Sequence, residues 1–219
     1  MFYKKSLIIT LGMVGFIAAQ MAYAFVGDSY RYPFYFGIKG GGGATTWGNL
    51  IPSKKNQSDL MQISTPISVN EGGALWGFYA GYEFMPSFAI ETAYTHYPKA
   101  RINFHPDSLF VYNYEDRTGF TSHTETVSLS AKYMVLIPKT SLRAFSSVGI
   151  AGEHRKDILA NTWITSATFD VGFNYDINEH VMGEIGFNYT SGNGESELEP
   201  SNDFMPFLYS GYLRLAYRF

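Results

Sequence analysis

The C-terminal stretch Phe207–Phe219, with the sequence FLYSGYLRLAYRF, alternates between two kinds of side chain. Its odd positions are all apolar or aromatic except Gly211, whereas its even positions are mixed and include Arg214 and Arg218. A period of two residues indicates a β-strand with two unlike faces. An apolar strand left at the edge of a soluble sheet invites aggregation. The stretch therefore favours a sheet that closes on itself.

The composition suits a β-barrel in a membrane better than a soluble helical domain. Aromatic residues make up 17% of the 219 residues and charged residues only 16%. The mean hydropathy of -0.09 is close to neutral, as expected when only alternate residues of each strand meet lipid. The chain has no cysteine, which excludes disulfides, thiolate metal sites and cysteine nucleophiles. The formal charge of -3 and the lack of a basic stripe argue against a nucleic-acid partner.

The start of the chain has the pattern of a secretory signal peptide. Two lysines precede an apolar core at positions 7–19, and Ala22 and Ala24 form an A-x-A cleavage site. The apolar core is shorter than the span of about 20 residues that a transmembrane helix needs. We therefore predict a signal peptide at 1–24 and a single barrel domain at 25–219.

Seven further stretches alternate in the same way as the C-terminal one. The eight predicted strands are 34–46, 74–84, 88–97, 124–137, 141–153, 162–176, 180–190 and 207–219. The connections between them alternate between long and short, with long loops at 47–73, 98–123, 154–161 and 191–206. This pattern is typical of an all-β, eight-stranded antiparallel up-and-down transmembrane β-barrel with short periplasmic turns and longer extracellular loops.

The sheet is expected to close between the first and last predicted strands, because backbone groups in lipid must find their partners within the protein. The run Gly40–Gly43 in the first strand allows tight coiling and a close approach of side chains. A soluble, lipocalin-like barrel of the same strand number is the alternative fold. That fold would place the apolar residues inside the barrel and the polar residues outside.

The alternation also assigns charged side chains to the interior. If the odd positions of the last strand face lipid, the inward charged residues are Lys39, Glu83, Glu91, Lys132, Arg143, Asp170, Glu184, Arg214 and, near the periplasmic mouth, Arg218. An eight-stranded barrel is just wide enough to be filled by its own side chains. Buried charges need partners, so we predict a network of salt bridges that fills the lumen. A narrow polar or ion pathway is the alternative.

Several motifs resemble those of one protein family. They are the signal peptide that ends at Ala24, the glycine-rich stretch Gly37–Gly43, the repeats Phe78–Tyr82 and Val171–Tyr175, and the terminal Leu215–Phe219. In these motifs the chain resembles the OmpA-like/OmpX-like eight-stranded outer-membrane β-barrel family. The resemblance extends over essentially all of the mature chain. It implies the barrel architecture more strongly than any particular activity, because such barrels share shape more than function.

The resemblance implies a location in the bacterial outer membrane. It also implies that the barrel assembly machinery reads an assembly signal made of Leu215, Tyr217 and Phe219. The outer-membrane lipids, including lipopolysaccharide, are further expected partners. Because the chain stops at Phe219, we expect it to lack the periplasmic peptidoglycan-binding domain of longer OmpA-type proteins.

The long loops are the expected working surface, because binding residues concentrate in loops held by a rigid scaffold. Basic residues that could contact lipopolysaccharide phosphates are Lys54, Lys55, Arg155 and Lys156. The last loop is acidic and carries Glu195, Glu197, Glu199 and Asp203. The alternative is that these charges are simply solvated. A host or surface ligand that binds the loops is a further expected type of partner.

Some residues could in principle form a catalytic site near the outer rim. They are His96, His105, His123, His154, Ser122, Ser128, Glu125 and Glu153. We recognise no motif of the outer-membrane lipid hydrolases or proteases among them, and no histidine pair has the spacing of metal ligands. We therefore expect no enzymatic activity, cofactor or metal site.

The expected function is non-enzymatic, in envelope integrity or in surface interaction through the extracellular loops. A channel for small solutes or hydrophobic compounds, similar to OmpW, is the first alternative. An outer-membrane enzyme that modifies lipids is the second.

Overall fold

The computed structural model describes residues 32–47, 66–108, 111, 115–193 and 204–219. Some sequence predictions lie outside these residues: the signal peptide with Ala22 and Ala24, the basic residues Lys54 and Lys55, and the acidic residues Glu195, Glu197, Glu199 and Asp203.

The described part of the chain contains ten strands. They are β1 (Phe34–Thr45), β2 (Pro66–Asn70), β3 (Gly72–Met85), β4 (Phe88–His96), β5 (Ala100–Phe104), β6 (Gly119–Leu136), β7 (Leu142–Lys156), β8 (Asn161–Asp176), β9 (Val181–Thr190) and β10 (Leu208–Arg218). Eight of them form a closed antiparallel ring in the order β1-β3-β4-β6-β7-β8-β9-β10. The ring closes between β1 and β10, where Lys39 lies opposite Arg214. The predicted eight-stranded antiparallel barrel and its closure are confirmed.

The two ends of the barrel differ. At the inner end, short turns join β3 to β4, β6 to β7 and β8 to β9. At the outer end the connections from β1 to β3, from β4 to β6 and from β9 to β10 are longer, whereas only residues 157–160 join β7 to β8. Outer-membrane barrels place their long connections on the extracellular side. Among the described residues, no helix is long and apolar enough to cross a membrane.

The barrel is apolar outside and polar inside. On β1, the outward side chains of Phe36 and Ile38 are 52% and 56% exposed, whereas the inward Tyr35 and Lys39 are 2% and 5% exposed. The other barrel strands continue this arrangement, so a belt of exposed aliphatic and aromatic side chains surrounds the ring. A water-soluble protein rarely exposes so large an apolar surface. The belt therefore excludes the lipocalin-like alternative, which would bury these residues.

The outer end has more regular structure than the sequence predicted. The predicted loop 47–73 contains β2. The predicted loop 98–123 contains β5 and the first residues of β6. The strand β2 pairs with β5, which pairs in turn with the start of β6. The predicted loop 154–161 is also too long, because β7 continues to Lys156 and β8 begins at Asn161. These strand ends reach beyond the apolar belt, where the alternation of apolar residues used for the prediction no longer holds.

An apolar cluster, which we call the outer cap, lies at this end. Its largest members are Trp47, Ile102, Phe104, Phe120 and Phe204, each at least 93% buried. Because β1 and β6 are three places apart in the ring, a cluster that joins Trp47 to Phe120 reaches across the outer end. Burying these apolar side chains stabilises the strand extensions.

Arg155 corrects one expectation of the sequence analysis. The sequence predicted a basic loop residue at the rim, but the side chain points inward and is completely buried. Its guanidinium group donates hydrogen bonds to Asp157 (2.7 Å) and to the carbonyl oxygen of Phe204 (2.7 Å), and lies 4.7 Å from the ring of Trp47. Arg155 therefore ties the outer cap to β7 and is not available to a lipid phosphate.

Candidate functional site

The centre of the lumen holds a square of alternating charges. Arg214 lies 2.5 Å from Glu91 and 3.0 Å from Glu184, while Lys132 lies 3.3 Å from Glu91 and also pairs with Glu184. Each carboxylate thus contacts both cations. The hydroxyl of Tyr35 donates a further hydrogen bond of 3.0 Å to Glu91. The five side chains come from β1, β4, β6, β9 and β10, so the square connects most of the ring.

A second layer of ion pairs lies towards the inner end. Glu83 is held by Arg218 at 2.7 Å and by Arg143 at 3.4 Å. Asp176 pairs with the same two arginines, at 3.3 Å from Arg143 and 3.2 Å from Arg218. The sequence placed Arg218 near the periplasmic mouth, and it lies in this layer beside the last residue of the chain.

The two remaining predicted interior charges lie between the central square and the outer end. Asp170 accepts a hydrogen bond of 2.9 Å from the hydroxyl of Tyr212 and lies 3.9 Å from Arg214. Lys39 donates a hydrogen bond of 3.3 Å to Thr95 and lies 4.4 Å above the ring of Tyr212. No carboxylate of the described residues lies within ion-pair distance of Lys39. The structure therefore places all eight predicted network residues inside the barrel. Lys39 alone among them forms no ion pair with the described residues, and it contacts Thr95 and the ring of Tyr212 instead.

Four of the eight candidate catalytic residues, His96, His123, Glu125 and His154, lie close together on the outside of the barrel, but neither candidate serine is among them. Ser122 points inward, the Ser128 hydroxyl donates a hydrogen bond to the carbonyl oxygen of Ala93 (3.4 Å), and His105 pairs with the exposed Asp107 (3.4 Å). Within the described ranges, no candidate histidine is hydrogen-bonded to a serine, and no group of three histidine, aspartate or glutamate residues has metal-binding geometry.

Glu153 is the least satisfied acidic group of the interior. Its side chain is fully buried, and neither carboxylate oxygen has a hydrogen-bond partner in the described part of the chain. It faces inward from β7, opposite Thr126 of β6. A buried carboxyl group without a cation beside it is costly to ionise, and Glu153, in contrast to Glu91 and Glu83, has no ion-pair partner among the described residues.

A row of side chains that sequence analysis missed runs around the outside of the barrel. Strand pairing aligns Trp76, His96, Glu125, His154 and Trp163 on five neighbouring strands, and all five point outward. We call them the outer rim row. Trp76 stacks on His96 with 5.4 Å between ring centroids, and His154 stacks on Trp163 at 4.6 Å. No local motif reveals this row, because only the strand register brings its members together.

A cleft of about 220 Å³ opens at the outer rim row, between β4, β6 and β7. Its lining residues are His96, His123, Thr124, Glu125, His154 and Lys156. His123 lies beyond the apolar belt, which ends on β6 at Val127. Partial burial, together with the nearby charges of Lys99, His96 and Lys156, lowers the pKa of His123. The cleft therefore brings the ammonium group of Lys156 and the carboxylate of Glu125 together with three imidazole rings, and Lys99 lies close to His123.

The comparisons with known proteins identify the fold. No protein-family model matches the chain, and no curated protein does. Among solved structures, Neisserial surface protein A is 12% identical, with 85% of this chain and 97% of that chain covered and a TM-score of 0.51. The outer membrane protein OprG from Pseudomonas aeruginosa is also 12% identical, with 87% and 98% covered and a TM-score of 0.51.

The chain has the fold of the eight-stranded outer-membrane β-barrels. This confirms both the fold class, which was predicted from the alternation of residues, and the resemblance to the eight-stranded outer-membrane barrels. The predicted location in a bacterial outer membrane agrees with the fold and with the apolar belt. At this level of identity the likeness concerns the fold, so function has to be argued from the side chains of this chain.

Proposed function

We propose that the protein is a closed-lumen barrel of the outer membrane that acts without enzymatic activity, in envelope integrity or in surface interaction through its extracellular side. The observation that supports this proposal is the pair of ion-pair layers inside the barrel.

These ion pairs cross the lumen. Glu91 on β4 and Arg214 on β10 lie on strands three places apart in the ring of eight, as do Lys132 on β6 and Glu184 on β9. Glu83 on β3 and Arg143 on β7 repeat this relation in the inner layer. Side chains that link such distant strands occupy the middle of the barrel. Opening a path would separate buried charges, and each unpaired ion would cost several kcal/mol.

The outer cap supports the same proposal from the other end. Trp47, Ile102 and Phe204 are at most 2% exposed, so they pack closely and leave little room for an open apolar passage. A channel for hydrophobic compounds would need such a passage between the extracellular side and the lumen or the lipid. A closed cap above two layers of ion pairs is better suited to a rigid support for the extracellular loops.

Solute uptake by liposomes tests this proposal against the channel alternative. The purified barrel is reconstituted in phosphatidylcholine liposomes, and a known porin in the same lipid serves as the positive control. We expect entry of small sugars, and of an alkane from the outer solution, at the rate of protein-free liposomes. Uptake of either solute well above that rate would replace the closed-lumen proposal by the channel alternative.

The C-terminal residues support a further part of the proposal, recognition by the barrel assembly machinery. Leu215, Tyr217 and Phe219 all point outward and are 49%, 54% and 60% exposed, so a partner can reach them at the seam of the ring. Phe219 contributes little packing, since its closest ring contact is Phe34 at 6.4 Å between centroids.

Deleting Phe219 is expected to reduce the amount of folded protein in the outer membrane several-fold while leaving the stability of the purified barrel almost unchanged. Heat-modifiable mobility in gels measures the first quantity, and urea unfolding of refolded protein measures the second. The substitution Phe204→Ala, at a residue that is buried in the outer cap, should instead lower the stability. Normal membrane levels of the variant without Phe219 would contradict the assignment.

A further inference from the structure

The depth of the outer rim row in the membrane follows from its aromatic residues. Trp76 and Trp163 are the two end members of the row and are 49% and 55% exposed on the outside of the barrel. Tryptophan is enriched where a membrane meets water, and outer-membrane barrels carry aromatic girdles at that level. On the membrane side of the row, Val127 and Ile150 belong to the apolar belt. The row and the cleft beside it therefore lie at the depth of the lipid headgroups.

The one acid of the cleft is already satisfied within the protein. Glu125 accepts a hydrogen bond of 2.7 Å from the hydroxyl of Tyr94, and its other oxygen lies 2.9 Å from Nδ1 of His154. The other ring nitrogen of His154 lies 2.8 Å from the side-chain oxygen of Asn161. Glu125 and His154 thus form a fixed polar wall for the cleft.

The cations of the cleft are not satisfied in this way. Lys156 lies opposite His123 in the strand register, and Lys99 follows β4 on the other side. Lys99 and Lys156 are exposed, and in the described ranges neither has a carboxylate within 4.0 Å. Asp157 is close by, but its carboxylate is bound to Arg155 at 2.7 Å. Lys156 and His123 thus line the cleft and Lys99 lies close to His123, and within the described ranges none of the three forms an ion pair.

We propose that this cleft binds the phosphate group of a phosphorylated glycolipid in the outer leaflet, with Lys99, Lys156 and His123 as the donors. The ammonium groups of lysine are established phosphate ligands. The volume of about 220 Å³ is several times the roughly 30 Å³ that one water molecule occupies in the liquid, so a phosphate group fits. The cleft opens sideways, next to the apolar belt, which favours a lipid over a phosphate from solution. The proposal rests on the proposed function only for the location of the barrel in the outer membrane.

Binding is expected to strengthen as the pH falls. The groups that face His123 are His96 and Lys99 from the side of β4, Lys156 and Asp157 from β7 and its end, and Glu125 on its own strand. The neighbouring cations lower the pKa of His123 in the empty cleft. A bound phosphate would offset those cations and favour the protonated imidazole, so that phosphate and proton bind together.

Native mass spectrometry of the full barrel in detergent micelles tests the proposal. The probes are lipid A with two phosphates and lipid A from which the phosphates have been removed. We expect retention of the phosphorylated form only, and affinities about tenfold weaker for Lys156→Gln and for Lys99→Gln, a change that corresponds to about 1.4 kcal/mol. The matched control is Lys139→Gln, which removes an exposed lysine from the turn between β6 and β7 at the inner end. Equal binding of both lipids, or unchanged affinity in both lysine variants, would overturn the proposal.

Further experiments distinguish direct binding of a lipid phosphate from binding through a divalent cation and from binding of free phosphate. Glu125→Gln should leave phosphate binding unchanged or strengthen it, whereas weaker binding would indicate a bridging divalent cation and overturn direct phosphate recognition. Inorganic phosphate at millimolar concentration should fail to displace the lipid. Complete displacement would assign the site to free phosphate. His123→Gln should lose most of the increase in affinity between pH 8 and pH 5.5, and an unaltered increase would remove His123 from the site.

Discussion

Replacing Arg214 by glutamine is expected to destabilise the barrel by about 3–5 kcal/mol, the usual cost of removing one partner from a buried ion pair. Arg214 neutralises both Glu91 and Glu184, and its guanidinium group lies between the rings of Tyr79 and Tyr212 at 4.6 Å and 4.4 Å. Without it, Lys132 alone faces two buried carboxylates. Guanidinium-induced unfolding of the barrel in lipid vesicles, followed by tryptophan fluorescence, measures the loss.

Two further variants show whether this loss comes from the unpaired charge. The double variant Arg214→Gln with Glu91→Gln should recover a substantial part of the stability, because one carboxylate then remains for Lys132. Arg101→Gln, which removes an exposed arginine of β5, should change the stability by less than about 0.5 kcal/mol. A loss below about 1 kcal/mol for Arg214→Gln would contradict the account of the central square, as would a double variant that is no more stable than the single one.

Replacing Gly41 by alanine is expected to cost about 3 kcal/mol, the upper end of the usual range for overpacking, and to impair closure of the ring. A Cβ atom on Gly41 would overlap the carbonyl oxygen of Gly211 and lie 2.8 Å from the Cα atom of Tyr212. Both atoms belong to the backbone of β10, which cannot move away without disturbing its pairing with β1. The fraction of folded protein after dilution from urea into lipid vesicles reports the effect.

The neighbouring Gly40 provides the matched control. It lies on the same strand and faces outward, where a Cβ atom would have no heavy atom within 4 Å. Gly40→Ala should therefore fold like the unchanged protein, with a stability within about 0.5 kcal/mol. Similar folding yields for the two alanine variants would show that the close approach of β1 and β10 at Gly41 is not important.

The barrel itself could be predicted because one physical rule governs most of its sequence. Lipid outside and a filled lumen inside impose opposite polarity on alternate residues. The alternation therefore placed Phe36 and Ile38 outside and Lys39 inside, and it located the interior cations of β10. It could not say which carboxylate each cation contacts, because that depends on the offset between strands three places apart.

The outer end could not be predicted because the rule changes there. On β6, the inward positions are polar at Thr126 and Thr124 but apolar at Phe120, which the outer cap buries. Beyond the apolar belt the lipid no longer selects apolar residues on the outside, and the core of the cap selects them on the inside. When the apolar residues move from the outer face of a strand to its inner face within a few residues, the sequence looks like that of a polar loop. For this reason β2 and β5 were missed, and Arg155 was assigned to the surface.

The outer rim row was hidden for a different reason. Its members are separated in sequence by 20 to 30 residues or by a hairpin turn, and each is unremarkable in its own strand. Only the register of β4, β6 and β7 brings His96, Glu125 and His154 side by side. Individual histidines could be picked out from the sequence, but their position on the outside of the barrel, beside lipid, could not.

Electrical recording across a planar lipid bilayer tests the central claim, the closed lumen, most directly. The folded barrel, checked by its heat-modifiable mobility, is added to a bilayer that also accepts a known porin as the control for insertion. With the layers around Glu91 and Glu83 intact, we expect no discrete current steps above the bare-membrane level. Stable and reproducible single-channel openings of the unchanged protein would contradict it.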